Sequence, residues 1–386
     1  MIIKNVNIYK EHVGFEIGDI YTEKEWIVKS IVSESEVIDG KGLYAVPGLI
    51  DVHQHGCNGY DFCDGSQEAF RAIAKYQASN GITTVCPTTM TLEEAELTNI
   101  LHEFSLYQAE LDREEEKKCQ GANFSGIYLE GPFISKNKKG AQNSTYIKKP
   151  DVEMYHRLQK VSGNKIKVVT VAPEMEGAIE FIEELKEHAK DPVVISIAHT
   201  EANYEQALIA LQKGARQVTH LYNAMPPLSH REPGVIGAAL DSKDCYVELI
   251  GDGIHIHPSV IRATFRMFGE DKIILISDSM MATGLSDGVY SLGRQEVKVT
   301  GRTAQITASG AIAGSVTNLM DCVRFLVHNV GIPLEKAIQC ASVNPAKALG
   351  IDDLYGSITP GKIANIVLLD QDLNLHGVIL RGRVFQ

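Results

Sequence analysis

None of the seven cysteines, at 57, 63, 86, 119, 245, 322 and 340, pairs with another at C-x-x-C spacing, so no zinc ribbon or thioredoxin-type redox site is present. Most sit in apolar runs such as Val85-Cys86-Pro87 and Cys322-Val323, as small core hydrophobes do. No apolar run approaches the ~18 residues that a transmembrane helix requires. The opening Met1-Ile2-Ile3-Lys4-Asn5-Val6 lacks the charged-then-apolar order of a secretory leader. There is no internal repeat, no low-complexity tract and no Lys/Arg stripe. With 37 Lys and Arg against 49 Asp and Glu, the net charge of −12 disfavours non-specific nucleic-acid or anionic-membrane binding. It leaves a small anionic ligand open, because one well-placed Arg outweighs a diffuse field. A soluble, reduced, cytoplasmic protein is expected, with no nucleic-acid or membrane partner.

What is present is 386 residues, 44% hydrophobic, enough for a large core without disulfides. Residues 1–47 are short β-branched runs (Ile2 to Ile8, Glu25 to Ile31, Glu36 to Ile38) broken by charged and Gly-containing turns. From Val46 onward short apolar runs alternate with helix-like stretches, the mark of βα units and a parallel sheet. Eight runs are expected as strands: Gly48–His53, Thr83–Pro87, Phe124–Glu130, Ile166–Val171, Val193–His199, Gln217–Leu221, Cys245–Ile250 and Lys272–Asp278. Gln67–Ala78, Glu93–Glu110, Ala178–Ala189 and Asn203–Lys213 read as helices between them. Eight such units predict a (β/α)8 TIM-type barrel over 48–349.

A hairpin is expected over Gly288–Ala308, followed by helices at Val316–Asn329 and Leu334–Ser342. β texture returns at Ile363–Leu369 and Val378–Val384, so a small β-sandwich domain built from 1–47 and 350–386 is predicted. The charge run Asp112 to Lys118 reads as a solvated helix end.

The chemistry lies at the C-terminal ends of the eight runs. They end in Asp51-Val52-His53-Gln54-His55, Leu129-Glu130-Gly131-Pro132, Ala198-His199-Thr200, Thr219-His220-Leu221 and Ser277-Asp278-Ser279. A barrel gathers these ends into one ring, where its active sites sit. Four histidines and two carboxylates far apart in sequence are therefore expected in one cup. Such donors suit zinc, iron or manganese. His53 and His55, two apart in extended chain, face the same side, and two neutral imidazoles aimed into one space need a cation or a proton between them. Taken singly, His199, Glu130 and Asp278 could each be a core histidine, a turn residue or a helix cap; five of eight strand ends carrying ligand-type residues outweighs that. The remaining histidines, off the strand ends, read as surface or capping residues.

Several blocks carry a resemblance over essentially the whole chain. They are Val46-Pro47-Gly48-Leu49-Ile50-Asp51-Val52-His53, Leu129-Glu130-Gly131-Pro132-Phe133, Lys139-Gly140-Ala141, Ala198-His199 and Val218-Thr219-His220-Leu221-Tyr222-Asn223-Ala224-Met225. Arg231-Glu232-Pro233-Gly234, Asp252-Gly253-Ile254-His255, Asp278-Ser279-Met280 and Ala313-Gly314-Ser315 continue the order. In these the chain resembles the amidohydrolase superfamily and, within it, the N-acetylglucosamine-6-phosphate deacetylases.

The resemblance implies metal-dependent removal of acetyl from N-acetylglucosamine 6-phosphate, or from its galacto epimer or another N-acyl amino sugar. It implies Glu130, His199 and His220 as ligands of the catalytic metal and Asp278 as the acid and base. His53 and His55 allow a second ion bridged by Glu130, so one or two divalent ions per subunit are expected, zinc first. Strand 4 ends Val171-Ala172-Pro173-Glu174 without the lysine that many superfamily hydrolases carboxylate. For the substrate the resemblance implies Arg231 at the phosphate, backbone N–H groups at Asn223 and Ala224, and His255 at a hydroxyl or the phosphate. Ala141 lies beside the sugar, and the backbone of Ala311, Ile312 and Ala313 lines its face. Phosphate contacts across subunits imply a homodimer. The chain departs from the pattern at Gly140-Ala141-Gln142, where many members carry histidine third. Glutamine can hydrogen-bond a sugar but carries no proton, which leaves the epimer open. A scaffold that has lost its ligands does not fit the intact set. A nucleoside-deaminase-like site leaves Glu130 and the Asn-Ala-Met block unexplained.

Overall fold

The computed structural model describes residues 1–31, 36–113, 119–188 and 192–385. Eight strands carry its centre: β1 (Leu49–Gln54), β2 (Ile82–Pro87), β3 (Ile127–Leu129), β4 (Ile166–Val171), β5 (Val194–Ile197), β6 (Gln217–Val218), β7 (Tyr246–Ile250) and β8 (Ile273–Ile276). β1 pairs in parallel with β2, and β3 to β8 pair in parallel in chain order. A parallel bridge between Thr88 and Tyr128 joins β2 to β3. Beyond the ends of β8, the Asp278 N–H donates to the His53 carbonyl at 3.0 Å and the Ser277 hydroxyl to Asp51 at 2.5 Å. Ile50, Cys86, Tyr128, Val168, Ile250 and Ile274, from six different strands, belong to one apolar cluster. Strands from both ends of the order can share a cluster only if the sheet curls, and β3–β8 form half of a TIM-like barrel.

Among the described residues seven α-helices intervene: α1 (Gln67–Ser79), α2 (Glu94–Arg113), α3 (Val152–Val161), α4 (Ala178–His188), α5 (Tyr204–Lys213), α6 (Gly234–Asp241) and α7 (Pro258–Phe268). Their starts follow capping chemistry. Ser66 accepts from the Ala69 N–H, Asp151 from that of Met154, and Asn203 forms a capping box with Gln206. Their apolar faces (Phe70 and Ile73 of α1, Phe104 of α2, Phe181 of α4) pack on the strands in the main core. Each such buried side chain stabilises the fold by about 1.5–3 kcal/mol.

The expected third strand is split into Asn123–Phe124, paired to β2, and β3. β5, β6 and β8 stop one or two residues short of His199, His220 and Asp278. These three residues have φ of 44°, 31° and 50°, which a parallel ladder cannot continue. After β8 a three-stranded antiparallel sheet (Gly288–Leu292, Gln295–Thr300, Thr303–Ile306) replaces the expected hairpin. α8 (Leu319–Phe325) and the helix Leu334–Ile338 each run on into a π turn.

Both ends of the chain join one further sheet of eight strands. Tyr44–Pro47 pairs in parallel with Ile2–Lys10 and antiparallel with Ile366–Leu369, and Leu375–Leu380 and Arg383–Val384 extend the edge. Ile3, Val6, Ile20, Ala45, Ile366 and Ile379 form its core. Gly14–Glu23 is a strand that the sequence reading passed over, because most of its residues are exposed or only partly buried and are mixed with charges. Residues 114–118 of the charge run lie outside the described residues. Among the described residues, no helix is long and apolar enough to cross a membrane.

Candidate metal centre

β1 delivers His53 and, one turn of the pleat on, His55; both are buried. Glu130 follows β3 directly, and its place depends on Gly131. That glycine has φ of +76°, and a Cβ there would meet the Thr91 hydroxyl at 2.0 Å. His199, His220 and Asp278 sit at positive φ, which costs of order 1–3 kcal/mol each and persists only where neighbours over-determine the backbone. Hydrogen bonds do so here. The His199 carbonyl accepts from Ser135 and that of Asp278 from Ser315, while Glu248 takes the His220 N–H.

The six side chains meet. Glu130 Oε1 lies 3.1 Å from Nε2 of both His199 and His220 and 3.5 Å from Nε2 of His53. Its Oε2 lies 3.4 Å from His55 Nε2. Asp278 Oδ1 is 3.6 Å from His53 Nε2 and 3.4 Å from His55 Nε2. Two groups of three result, Glu130–His199–His220 and His53–His55–Asp278, the ligand atoms in each within 4.8 Å of one another.

The donors fit divalent ions. His199 and His220 face each other Nε2 to Nε2 at 3.2 Å, an arrangement of lone pairs that requires a proton or a cation. His53 Nε2 is fully buried without a hydrogen-bond partner among the described residues. Three rings engage their far nitrogen with an acceptor: His53 Nδ1 with Glu248 at 2.9 Å, His199 Nδ1 with the Lys138 carbonyl at 2.8 Å, and His55 Nδ1 with the Thr88 carbonyl at 3.3 Å. This is how metal-binding imidazoles are oriented.

Burial alone would push the Glu130 carboxyl up, but the charge of His53 and the bonds from His199 and His220 hold it well below the usual carboxylate range. Asp278 is likewise lowered, its burial outweighed by the bond from His55 and the charges of His53, His55 and His220. Burial opposes a proton on His53, yet Glu248 and Glu130 raise its pKa to about 10. Protons and a cation thus compete for the same nitrogens.

A cavity of about 140 Å³ opens onto the group, lined among others by Ala141, Gln142, Asn223, Ala224, His255 and Ile312. Those six substrate-side expectations meet in one place. Arg231 does not line it; it is exposed on the loop after β6, and neither Ala311 nor the buried Ala313 borders it. The Asn223 N–H, expected at the phosphate, already donates to the His220 carbonyl at 2.9 Å. Gln142, on the cavity wall, also bonds to Glu130. Its Oε1 accepts the Thr91 N–H at 2.7 Å, which fixes the amide, and its Nε2 donates to Glu130 Oε2 at 2.6 Å.

The sequence reading missed Glu248 and Asp252. Asp252 holds His255 Nδ1 at 2.8 Å. The available signal for Glu248 was a carboxylate inside the otherwise uncharged run Tyr246-Val247-Glu248-Leu249-Ile250. A larger groove of about 690 Å³, bordered by Arg71, Lys75, Tyr107 and Arg383, lies away from these ligands.

Comparisons with known proteins agree with this geometry. Residues 44–385 match the model of the Amidohydrolase family. The chain is 37% identical to the N-acetylglucosamine-6-phosphate deacetylase of Bacillus subtilis (strain 168), covering 100% of this chain and 95% of that one. It is 36% identical to the N-acetylgalactosamine-6-phosphate deacetylase of Escherichia coli O157:H7, over 88% and 86%. Among solved structures, an aspartate-to-alanine mutant of the Mycobacterium smegmatis N-acetyl-D-glucosamine-6-phosphate deacetylase, in complex with N-acetyl-D-glucosamine-6-phosphate, superposes with a TM-score of 0.90. It is 28% identical, over 100% of this chain and 98% of that one. The fold, the paired ligand groups and these full-length likenesses together make the chain a member of the amidohydrolase family.

Proposed function

We propose that this protein is a deacetylase that hydrolyses N-acetylglucosamine 6-phosphate to glucosamine 6-phosphate and acetate. The observation that carries the reading is the pair of ligand groups, Glu130–His199–His220 and His53–His55–Asp278, whose members other than His53 line one cavity. An amide resists water because water is a weak nucleophile and an amine leaves poorly. Glu130, His199 and His220 would hold one divalent ion, and His53, His55 and Asp278 a second. When bound, such an ion supplies Lewis acidity toward water and the acetyl carbonyl.

Asp278 accepts the proton of the attacking water and returns it to the departing amine nitrogen. Zinc is the ion proposed first, with iron and manganese as alternatives. Sites for ligands of moderate size measure ~300–1,000 Å³, so a cavity of about 140 Å³ takes the acetamido end and leaves the phosphate at the rim. An exposed Arg231 suits that place, its planar fork meeting two phosphate oxygens.

The reading extends to architecture. Residues 48–349 would form the closed (β/α)8 barrel, and 1–47 with 350–386 a β-sandwich domain, supported by the sheet that both ends share. A cytoplasmic homodimer is proposed as the working form, and exposed Leu228 and Ile254 on loops after β6 and β7 support a contact there. The galacto epimer is the second substrate reading, favoured by the likeness to the Escherichia coli enzyme.

Acetate release from N-acetylglucosamine 6-phosphate, its galacto epimer and the two unphosphorylated sugars tests all of this, with metal content measured alongside. Release from the gluco phosphate ester above the other three is the expected result. Equal kcat/KM without the phosphate would remove Arg231 from its role, and no release from any sugar would end the deacetylase reading.

A further inference from the structure

Glu248 is fully buried on β7 and belongs to neither ligand group. Three donors converge on its carboxylate. Its Oε1 accepts from the Gln217 amide at 2.6 Å, and its Oε2 takes the His220 N–H at 3.1 Å and His53 Nδ1 at 2.9 Å. Its main-chain carbonyl also accepts the Leu221 N–H at 2.8 Å. The bond to Glu248 places a hydrogen on His53 Nδ1 and leaves Nε2 for the cluster, 3.5 Å from Glu130 and 3.6 Å from Asp278. The other rings have no such backing. His55 and His199 rest on neutral carbonyls, and His220 Nδ1 has no hydrogen-bond partner among the described residues. A carboxylate behind an imidazole both fixes the ring and makes its free nitrogen a stronger donor.

We propose that Glu248 is a positioning residue that presents His53 Nε2 to an ion, and so governs occupancy of the His53–His55–Asp278 group separately from the Glu130–His199–His220 group. The inference rests on the metal reading given above and deepens it: the chain commits a buried charge to one of its two ion sites.

The test is zinc uptake by metal-stripped protein, read as ions per subunit and as affinity in competition with a chelator, with no substrate present. Wild type should take two ions. Glu248→Ala should bind one ion about 10–100-fold more weakly and lose clearly less at the other, whose group Glu248 touches only through the His220 N–H. His53→Ala should give the same pattern, and Glu248→Gln a smaller loss. Glu248→Gln keeps an oxygen for His53 and the His220 N–H, and the Gln217 amide can turn to meet its new NH2. It therefore carries the test if the alanine variant does not fold. Two ions bound at wild-type affinity in both Glu248 variants would overturn the proposal. So would equal weakening of both ions, which marks a merely structural role, or a wild type with a single ion that His53→Ala leaves in place. A wild type that binds two ions but deacetylates nothing would refute the enzyme reading and leave this one standing.

Discussion

In the proposed mechanism Asp278 is the residue on which water activation and amine release both turn. Asp278→Asn keeps the shape and its bond from His55 but removes the base. Its kcat should fall by about 10²–10⁴-fold with KM changed little, measured by steady-state acetate release. Asp252 acts on a different group. Burial lowers the pKa of His255, but the bond and charge of Asp252 raise it above the ordinary imidazole value. In Asp252→Asn burial is opposed only by the charge of Asp278, so the pKa of His255 should fall and the ring lose its proton at lower pH. An NMR titration of the His255 ring in metal-stripped protein reads the shift, and an unmoved pKa would contradict the pairing. Much of this site is legible in the sequence, because ligand side chains at strand ends stand next to apolar runs: His53, His55, Glu130, His199, His220 and Asp278 all announce themselves so. Glu248 does not, since it acts through His53, 195 residues away, and only the fold brings the pair together. Asp252 does not either, since no feature of the sequence says that its carboxylate turns back onto His255 three residues on. The role of Gln142 was hidden likewise. Nothing local says that its amide meets Glu130.

At the level of elements, the strands are shorter than the apolar runs suggest, and the reason is the chemistry they carry. His199 and His220 turn to positive φ as the ladder ends, so the hydrophobic run continues in sequence after the strand has stopped in space. Close approach sets another limit. At Gly48, before β1, an added Cβ would lie 2.0 Å from the Thr83 hydroxyl and 2.7 Å from its Cβ. Gly48→Ala should therefore force β1 from β2 and cost about 1–3 kcal/mol, seen as a lower Tm in thermal unfolding. Because β1 carries His53 and leads directly into His55, the same variant should also weaken zinc uptake by metal-stripped protein.

Across the whole molecule, the alternation of apolar runs with amphipathic stretches reveals the parallel sheet and its order, and the β texture at both ends reveals that they belong together. The strand Gly14–Glu23 and the third strand Thr303–Ile306 escape such a reading, because half-exposed antiparallel strands carry too few apolar residues to stand out. The C-terminal strands are integral to the fold. Val367 and Leu369 lie in the main core, while Ile366 and Leu368 lie in that of the terminal sheet. Ending the chain after Ala364 should therefore expose both cores, with loss of soluble protein on expression and of cooperative unfolding by circular dichroism.

With the first and last strands embedded in one sheet, tension applied between the two termini would load that sheet before the helices and the ion-binding ring. Arg383–Val384, attached along a single edge by two residue pairs, would peel away first. The strands that hold the paired ligand groups are thereby cushioned from a tug on the ends, by a seam that frays away from them.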